Sequence, residues 1–222
     1  MAAQHFLFNL IYLTMTKNNE IIFLIDDDAL VRRGLSLLLK SADYDVETFS
    51  SSEAFLNREP FVGTGCILLD INLGGKSGLE LQDDLIDKKY GLPIIFITGK
   101  GGVPESVRAF RKGAINFLQK PVDGQRLLDA VEEAVSRSRE INRKYSELSD
   151  AQKTLSNLTE REFEIFRYVI SGMPSKQIAQ ELNIAEQTVK LHRSNIVKKL
   201  GVKSVAQMVQ IAEKAGINLS SD

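Results

Sequence analysis

A chain of 222 residues is comfortable for two domains. Its 43% hydrophobic and 26% charged residues are the proportions of a water-soluble globular protein. A formal net charge of -1 excludes nucleic-acid binding through overall charge, so any basic surface is local; the single cysteine, Cys66, excludes an internal disulfide and fits a reducing cytoplasm.

In chain order, Phe6-Leu7-Phe8-Asn9-Leu10-Ile11-Tyr12-Leu13 is an apolar run too short to span a bilayer and without a basic leader. Residues 1–19 are therefore expected to be an extension without membrane association, with Met15 as an alternative start. Ile21-Ile22-Phe23-Leu24-Ile25 predicts a strand ending in Asp26, Asp27 and Asp28. Leu30, Val31, Leu35, Leu38 and Leu39 have helical spacing, ending near Ser41. Val46 and Phe49 mark a short second strand, and Ser51 or Ser52 caps the helix that carries Ala54, Phe55 and Leu56. Cys66-Ile67-Leu68-Leu69 is a third strand, apolar throughout as in a buried parallel sheet, and it ends in Asp70. A glycine-rich loop, Leu73-Gly74-Gly75-Lys76-Ser77-Gly78, leads into a helix with Leu79, Leu81 and Leu85. Pro93 to Thr98 is a fourth strand, closing in a hydroxyl, with a helix around Val107 to Phe110. Ile115 to Gln119 is a fifth, closing in Lys120-Pro121. Strands alternating with helices predict an α/β domain over 20–136, a (βα)5 flavodoxin-like doubly wound parallel sheet.

From Gly124 the pattern is helical and long. Residues 137–156 are charged, with thinning apolar positions at Ile141, Tyr145, Leu148 and Leu155. They are read as a linker helix, either a solvated spacer or a weak coiled-coil seam that makes a dimer contact. Residues 157–222 carry no strand signal. Thr159 and Glu162 form a capping box, and Gly172 and Pro174 end that helix. Ser175 is expected to cap a short helix with Ile178, Ala179 and Leu182. Asn183-Ile184 turns into a third with Val189, Ile196, Val197 and Leu200, and Ser204 opens a fourth. Two helices joined by a short turn, the second basic, predict a helix-turn-helix in an all-α four-helix domain.

The chemistry gathers at the carboxyl ends of the strands, where open α/β sheets bind ligands. A lone Asp70 would be no more than a cap for the next turn. If the first and third strands are neighbours, however, Asp26, Asp27 and Asp70 converge, and three carboxylates in one crevice repel unless a cation joins them. Magnesium suits such a set, with the Asn72 backbone carbonyl supplying a further oxygen. Thr98 and Lys120 bring a hydroxyl and an ammonium to the opposite side. A nucleophilic aspartate, a divalent metal, a hydroxyl and a fixed cation make a site for accepting a phosphoryl group. Two rivals fail on the letters: Gly75-Lys76-Ser77 lacks the leading glycine of a P-loop, which would fall on Asp70. A dehalogenase-type phosphatase wants an acid where Asn72 stands.

The set Asp26, Asp27, Asp70, Thr98 and Lys120-Pro121 resembles the receiver domain of two-component response regulators. Leu158-Thr159-Glu160-Arg161-Glu162, Gln177-Ile178-Ala179 and Thr188-Val189-Lys190-Leu191-His192-Arg193 resemble the LuxR-type DNA-binding domain, and the pairing is similar to the NarL/FixJ class. The resemblance implies that Asp70 takes a phosphoryl group from a phosphohistidine of a sensor histidine kinase. It implies that Asp26 and Asp27 hold Mg2+, that Lys120 pairs with the acyl phosphate and that Thr98 moves to hydrogen-bond it. Phe117 occupies the position of the switch aromatic; apart from the resemblance it is a plain core phenylalanine. Leu73-Gly74-Gly75-Lys76 departs from the usual Met-Pro pair, loosening the loop and placing Lys76 near the site.

On the third helix of the output domain, Lys190, Leu191, Arg193, Ser194, Lys198 and Lys199, with Lys203 beyond, are opposed only by Glu186. Alone this is a solvated face; on the second helix of a helix-turn-helix it reads as the major-groove element. By position in the family that the chain resembles, Lys190, Leu191 and Ser194 are best placed for bases or nearby phosphates, and the flanking Lys198, Lys199 and Lys203 for phosphates. The expected protein is a cytoplasmic transcription regulator that dimerises on phosphorylation and binds promoter DNA, with RNA polymerase as a further partner. It is not an enzyme beyond self-directed phosphoryl acceptance and slow autodephosphorylation. A phosphorylation-independent DNA-binding regulator is the alternative.

Overall fold

The computed structural model describes residues 20–99 and 103–217, so the expectations for residues 1–19 lie outside the described residues. The chain divides into two compact units, Met1–Asn142 and Arg143–Asp222. No helix among the described residues is long and apolar enough to cross a membrane.

In the first unit, β1 (Glu20–Ile25), β2 (Asp45–Phe49), β3 (Thr64–Asp70), β4 (Ile94–Thr98) and β5 (Asn116–Gln119) form one sheet in the order β2-β1-β3-β4-β5. Every pairing is parallel, as the alternation of strands and helices predicts. The helices are α1 (Ala29–Ser41), α2 (Ser52–Leu56), α3 (Gly78–Asp87), α4 (Val103–Arg111) and α5 (Gly124–Leu155). Because side chains alternate across a strand, the apolar runs feed two cores. Ile22, Leu24, Cys66, Leu68, Ile95 and Ile97 meet α1 through Leu39 and α5 through Leu127, Val131 and Val135. Phe23, Ile25, Ile67, Leu69 and Phe96 meet α2 through Phe55, α3 through Leu81 and Leu85, and α4 through Ala109.

Local signals set most helix starts. Asp28 caps α1 by accepting from the amides of Leu30 and Val31, and Ser51 rather than Ser52 caps α2. Ser52 is fully buried and donates to the Lys76 carbonyl at 3.0 Å. On α5, Ser138 Oγ accepts from the buried Gly65 amide at 3.1 Å, and Asn142 Nδ2 donates to the Gly63 carbonyl at 2.7 Å. Contacts to the sheet therefore continue along this helix to Asn142. Tyr145 beyond them is 64% exposed, whereas Ala151 and Leu155 are buried in the second unit.

That unit adds α6 (Glu160–Ile170), α7 (Ser175–Glu181), α8 (Glu186–Leu200) and α9 (Val205–Lys214). Leu155, Ile165, Phe166, Ile178, Val189, Ile196, Leu200 and Met208 share its core. The Thr159–Glu162 capping box is present. Ser175, expected as a cap, is instead the first residue of α7. Pro174, with φ -71 and ψ 152, takes the capping position and offers no side-chain bond. Gly201, at φ 64, closes α8 in the left-handed conformation that favours glycine.

Candidate functional site

The strand register brings the acids together. Ile25 pairs with Leu69 and Asp70 with Ile97, so Asp26, Asp70 and Thr98 leave the sheet on neighbouring strands at the same edge. Carboxylate oxygens of Asp26, Asp27 and Asp70 all lie within 4.8 Å of one another. Asp26 and Asp70 are 1% and 5% exposed, while Asp27 opens to solvent. Lys120, just past β5, sets its Nζ 2.6 Å from Asp26 Oδ2 and 2.6 Å from Asp70 Oδ2.

Each oxygen has a distinct environment. Asp26 Oδ1 accepts from the Asp28 amide at 2.9 Å, and Asp70 Oδ1 from the Asn72 amide at 3.1 Å. Asp26 Oδ2 touches Lys120 without the direction of a hydrogen bond and is otherwise unpartnered. Burial raises the Asp26 carboxyl above the usual range, against the opposing pull of Lys120 and the Asp28 amide. Burial also acts to lower the Lys120 ammonium, but the two carboxylates prevail and its pKa is raised. Lys120 is thus a firmly held charge. A buried oxygen with an unused lone pair, two further carboxylates and one open side form a donor set that fits a hard divalent cation.

Thr98 is fully buried, and its Oγ1 lies 3.5 Å from Asn72 Nδ2. Phe117 on β5 is half-buried beside Phe96, ring centroids 6.4 Å apart. Lys76, expected near the acids, is committed elsewhere: its Nζ pairs with Asp84, and the carboxylates raising its pKa are Asp84, Glu80 and Glu53. Two features of this loop escape a search for charge. One is the buried Ser52 hydroxyl that tethers it. The other is Gly78, where a Cβ would lie 2.2 Å from the Asp70 carbonyl oxygen. A second serine opening a short apolar helix and glycine one residue after a cap are the only letters that could have pointed to them.

On the second unit, α8 packs Val189, Ile196 and Leu200 inward, exposes Gln187, Lys190, Leu191, Ser194 and Lys198 on the far side, and leaves Glu186, Val197 and Lys199 exposed on its flanks. Lys190 pairs with Glu186 at 2.8 Å, and Leu191 is 61% exposed. Two more of the expected DNA-facing cations have partners within the unit. Arg193 is half-buried and donates to Ser175 Oγ at 3.4 Å. Lys199 pairs at 2.6 Å with Glu162, whose carboxyl it and the Thr159 amide hold down at about 2. Lys203, beyond Gly201, donates its backbone N–H to Gln207 Oε1 at 2.6 Å.

An acid-lined crevice with a fixed lysine on a (βα)5 sheet, joined to a helix-turn-helix, defines a class of signal-receiving DNA-binding proteins. Comparison with known proteins agrees. Residues 22–132 match the response regulator receiver domain, and residues 156–212 match the bacterial regulatory proteins of the luxR family. The chain is 39% identical to transcriptional regulatory protein TdiR of Thauera aromatica over 93% of this chain and 91% of that one. It is 33% identical to transcriptional regulatory protein FixJ of Bradyrhizobium diazoefficiens over 88% and 96%. The structure of response regulator StyR superposes with a TM-score of 0.80 at 44% identity, covering 88% of this chain and 99% of that one. The chain belongs to the two-component response regulators of the NarL/FixJ class, with a receiver domain and a LuxR-type DNA-binding domain, and acts in transcriptional regulation.

Proposed function

We propose that Asp70 accepts a phosphoryl group from a phosphohistidine of a sensor histidine kinase, and that the phosphorylated chain dimerises and binds promoter DNA. The reading rests on one observation above all: Asp26, Asp27 and Asp70 within 4.8 Å of one another with Lys120 Nζ 2.6 Å from two of them. An Asp70 carboxylate oxygen attacks phosphorus, a P–O bond forms as the P–N bond breaks, and the imidazole leaves with its electron pair. Asp26, Asp27, Asp70 and the Asn72 carbonyl would hold Mg2+, which supplies charge neutralisation for carboxylates and phosphoryl oxygens. Lys120 stabilises the new anion, and its two ion pairs already position it. Thr98, with Asn72 Nδ2 beside its hydroxyl, turns toward the phosphoryl oxygens, and Phe117 moves into the space it vacates.

The phosphoryl group adds roughly -1.5 to -2 charges to this pocket. Switching from 1:99 to 99:1 needs about 5.5 kcal/mol of preference for the active state, part of which dimerisation can supply. In the dimer, α8 of each copy enters the major groove at half-sites about one helical turn apart, in the cytoplasm and beside RNA polymerase. The chemistry ends with slow hydrolysis of the acyl phosphate, with no other substrate turned over. Intact mass after incubation with magnesium and acetyl phosphate tests the first step. One added phosphoryl group is expected, absent from Asp70→Asn and from a magnesium-free sample. No adduct under any of these conditions would leave a DNA-binding regulator that works without phosphorylation.

A further inference from the structure

The outward arc of α8 carries two side chains that are polar, uncharged and uncommitted, Gln187 and Ser194, and of these only Gln187 lies in the first turn and carries a planar amide. Gln187, Leu191, Ser194 and Lys198 follow one another at spacings of three or four residues, which places them in a single row along the exposed face. Beside this row, Glu186 and Lys190 satisfy each other at 2.8 Å, and Arg193 and Lys199 lean back onto Ser175 and Glu162. Gln187 is exposed in the first turn of α8 and makes no side-chain hydrogen bond among the described residues.

The N-terminal residues of a recognition helix are the ones that reach base edges. A primary amide holds an acceptor and a donor in one plane, and only adenine presents a matching N6–H donor and N7 acceptor in the major groove. Leu191, one turn on and 61% exposed, gives that amide an apolar neighbour. Resting on the reading of α8 as the DNA-reading helix, we propose that Gln187 sets sequence specificity by taking one adenine in each half-site. Its Nε2–H donates to N7 and its Oε1 accepts from N6–H.

The full chain, treated with magnesium and acetyl phosphate, is used to enrich sites from a randomised duplex library, as wild type, Gln187→Ala and Gln187→Glu. Wild type should enrich one adenine position per half-site that Gln187→Ala no longer selects. Discrimination there should fall about tenfold or more, with the other positions retained. Gln187→Glu should move the preference to cytosine, whose N4 amino group a carboxylate accepts. Replacing that adenine with 7-deazaadenine, which lacks the N7 acceptor, should weaken wild type and leave Gln187→Ala unchanged. The same enriched sequence from all three proteins, or an equal loss on 7-deazaadenine for wild type and Gln187→Ala, overturns the assignment to Gln187. A wild type that enriches nothing overturns the DNA-reading role of α8 with it.

Discussion

Gly78→Ala is expected to damage phosphorylation from a position that carries no chemistry. Gly78 opens α3, and its amide donates to the Ile71 carbonyl at 2.9 Å. A Cβ there would sit 2.2 Å from the Asp70 carbonyl oxygen, 3.0 Å from its carbon and 3.1 Å from Ile71 Cα. All three are backbone atoms, so no rotamer change relieves the clash, and the start of α3 must part from the end of β3 by roughly 1 Å. Overpacking of this kind costs about 1–3 kcal/mol. In a domain of this size that lowers the melting temperature by about 4–12 °C. Displacing a reacting group by roughly 1 Å costs up to about a hundredfold in rate. Time courses of the phosphorylated mass with acetyl phosphate, beside thermal melts, read both effects. Gly74→Ala and Gly75→Ala are the controls, because their Cβ atoms would rest at an ordinary 3.5 Å from Asp27 Oδ2 and 3.7 Å from Glu53 Oε1. Phosphorylation of Gly78→Ala at the wild-type rate with an unchanged melt, or equal impairment of Gly74→Ala, would refute a role for this contact.

Three other outcomes are expected. Lys198→Ala should lower the slope of log affinity for DNA against log salt by about 1; Lys199→Ala should leave the slope alone and lower the stability of the second unit, because that ammonium is held by Glu162. Glu162 titrates near 2 when folded and near its ordinary value of 4.5 when unfolded, so its stabilisation is complete above pH 4.5 and lost as pH falls toward 2. Glu162→Gln should cost about 1–2 kcal/mol at pH 7, screening by the partly exposed Lys199 included, with the deficit closing between pH 4.5 and 2 in denaturant titrations. Cys66, fully buried, with burial pushing its thiol well above the ordinary range, should resist a thiol reagent at pH 8 until urea unfolds the domain.

The sheet and the acid crevice were legible because their signals are local and coarse. Unbroken apolar runs fix buried parallel strands, and the letters ending those runs are the site: Asp26, Asp70, Thr98 and Lys120. What escaped depends on angle and partner rather than on residue type. Lys199 looks like its neighbour Lys198 in sequence, yet one residue is about 100° around the helix, which leaves it on the flank, still exposed but within reach of Glu162 thirty-seven residues earlier. Lys76 was close to the acids along the chain but met Asp84 in the second turn of α3. Ser175 is the first helical residue rather than the cap, because Pro174 before it holds the extended ψ of the capping position. Gln187 carries no charge, so a search for basic residues passes over it.

The central claim, that phosphorylation at Asp70 is converted into DNA binding, is tested most directly by titrating one enriched duplex with the full chain before and after treatment with magnesium and acetyl phosphate, beside Asp70→Asn. Wild type should bind at least about tenfold more tightly after treatment, as part of the switching free energy reaches the DNA, and sediment as a dimer, while Asp70→Asn stays at the untreated affinity in both conditions. Equal affinity before and after, with the phosphoryl group verified on Asp70 by mass, would contradict it.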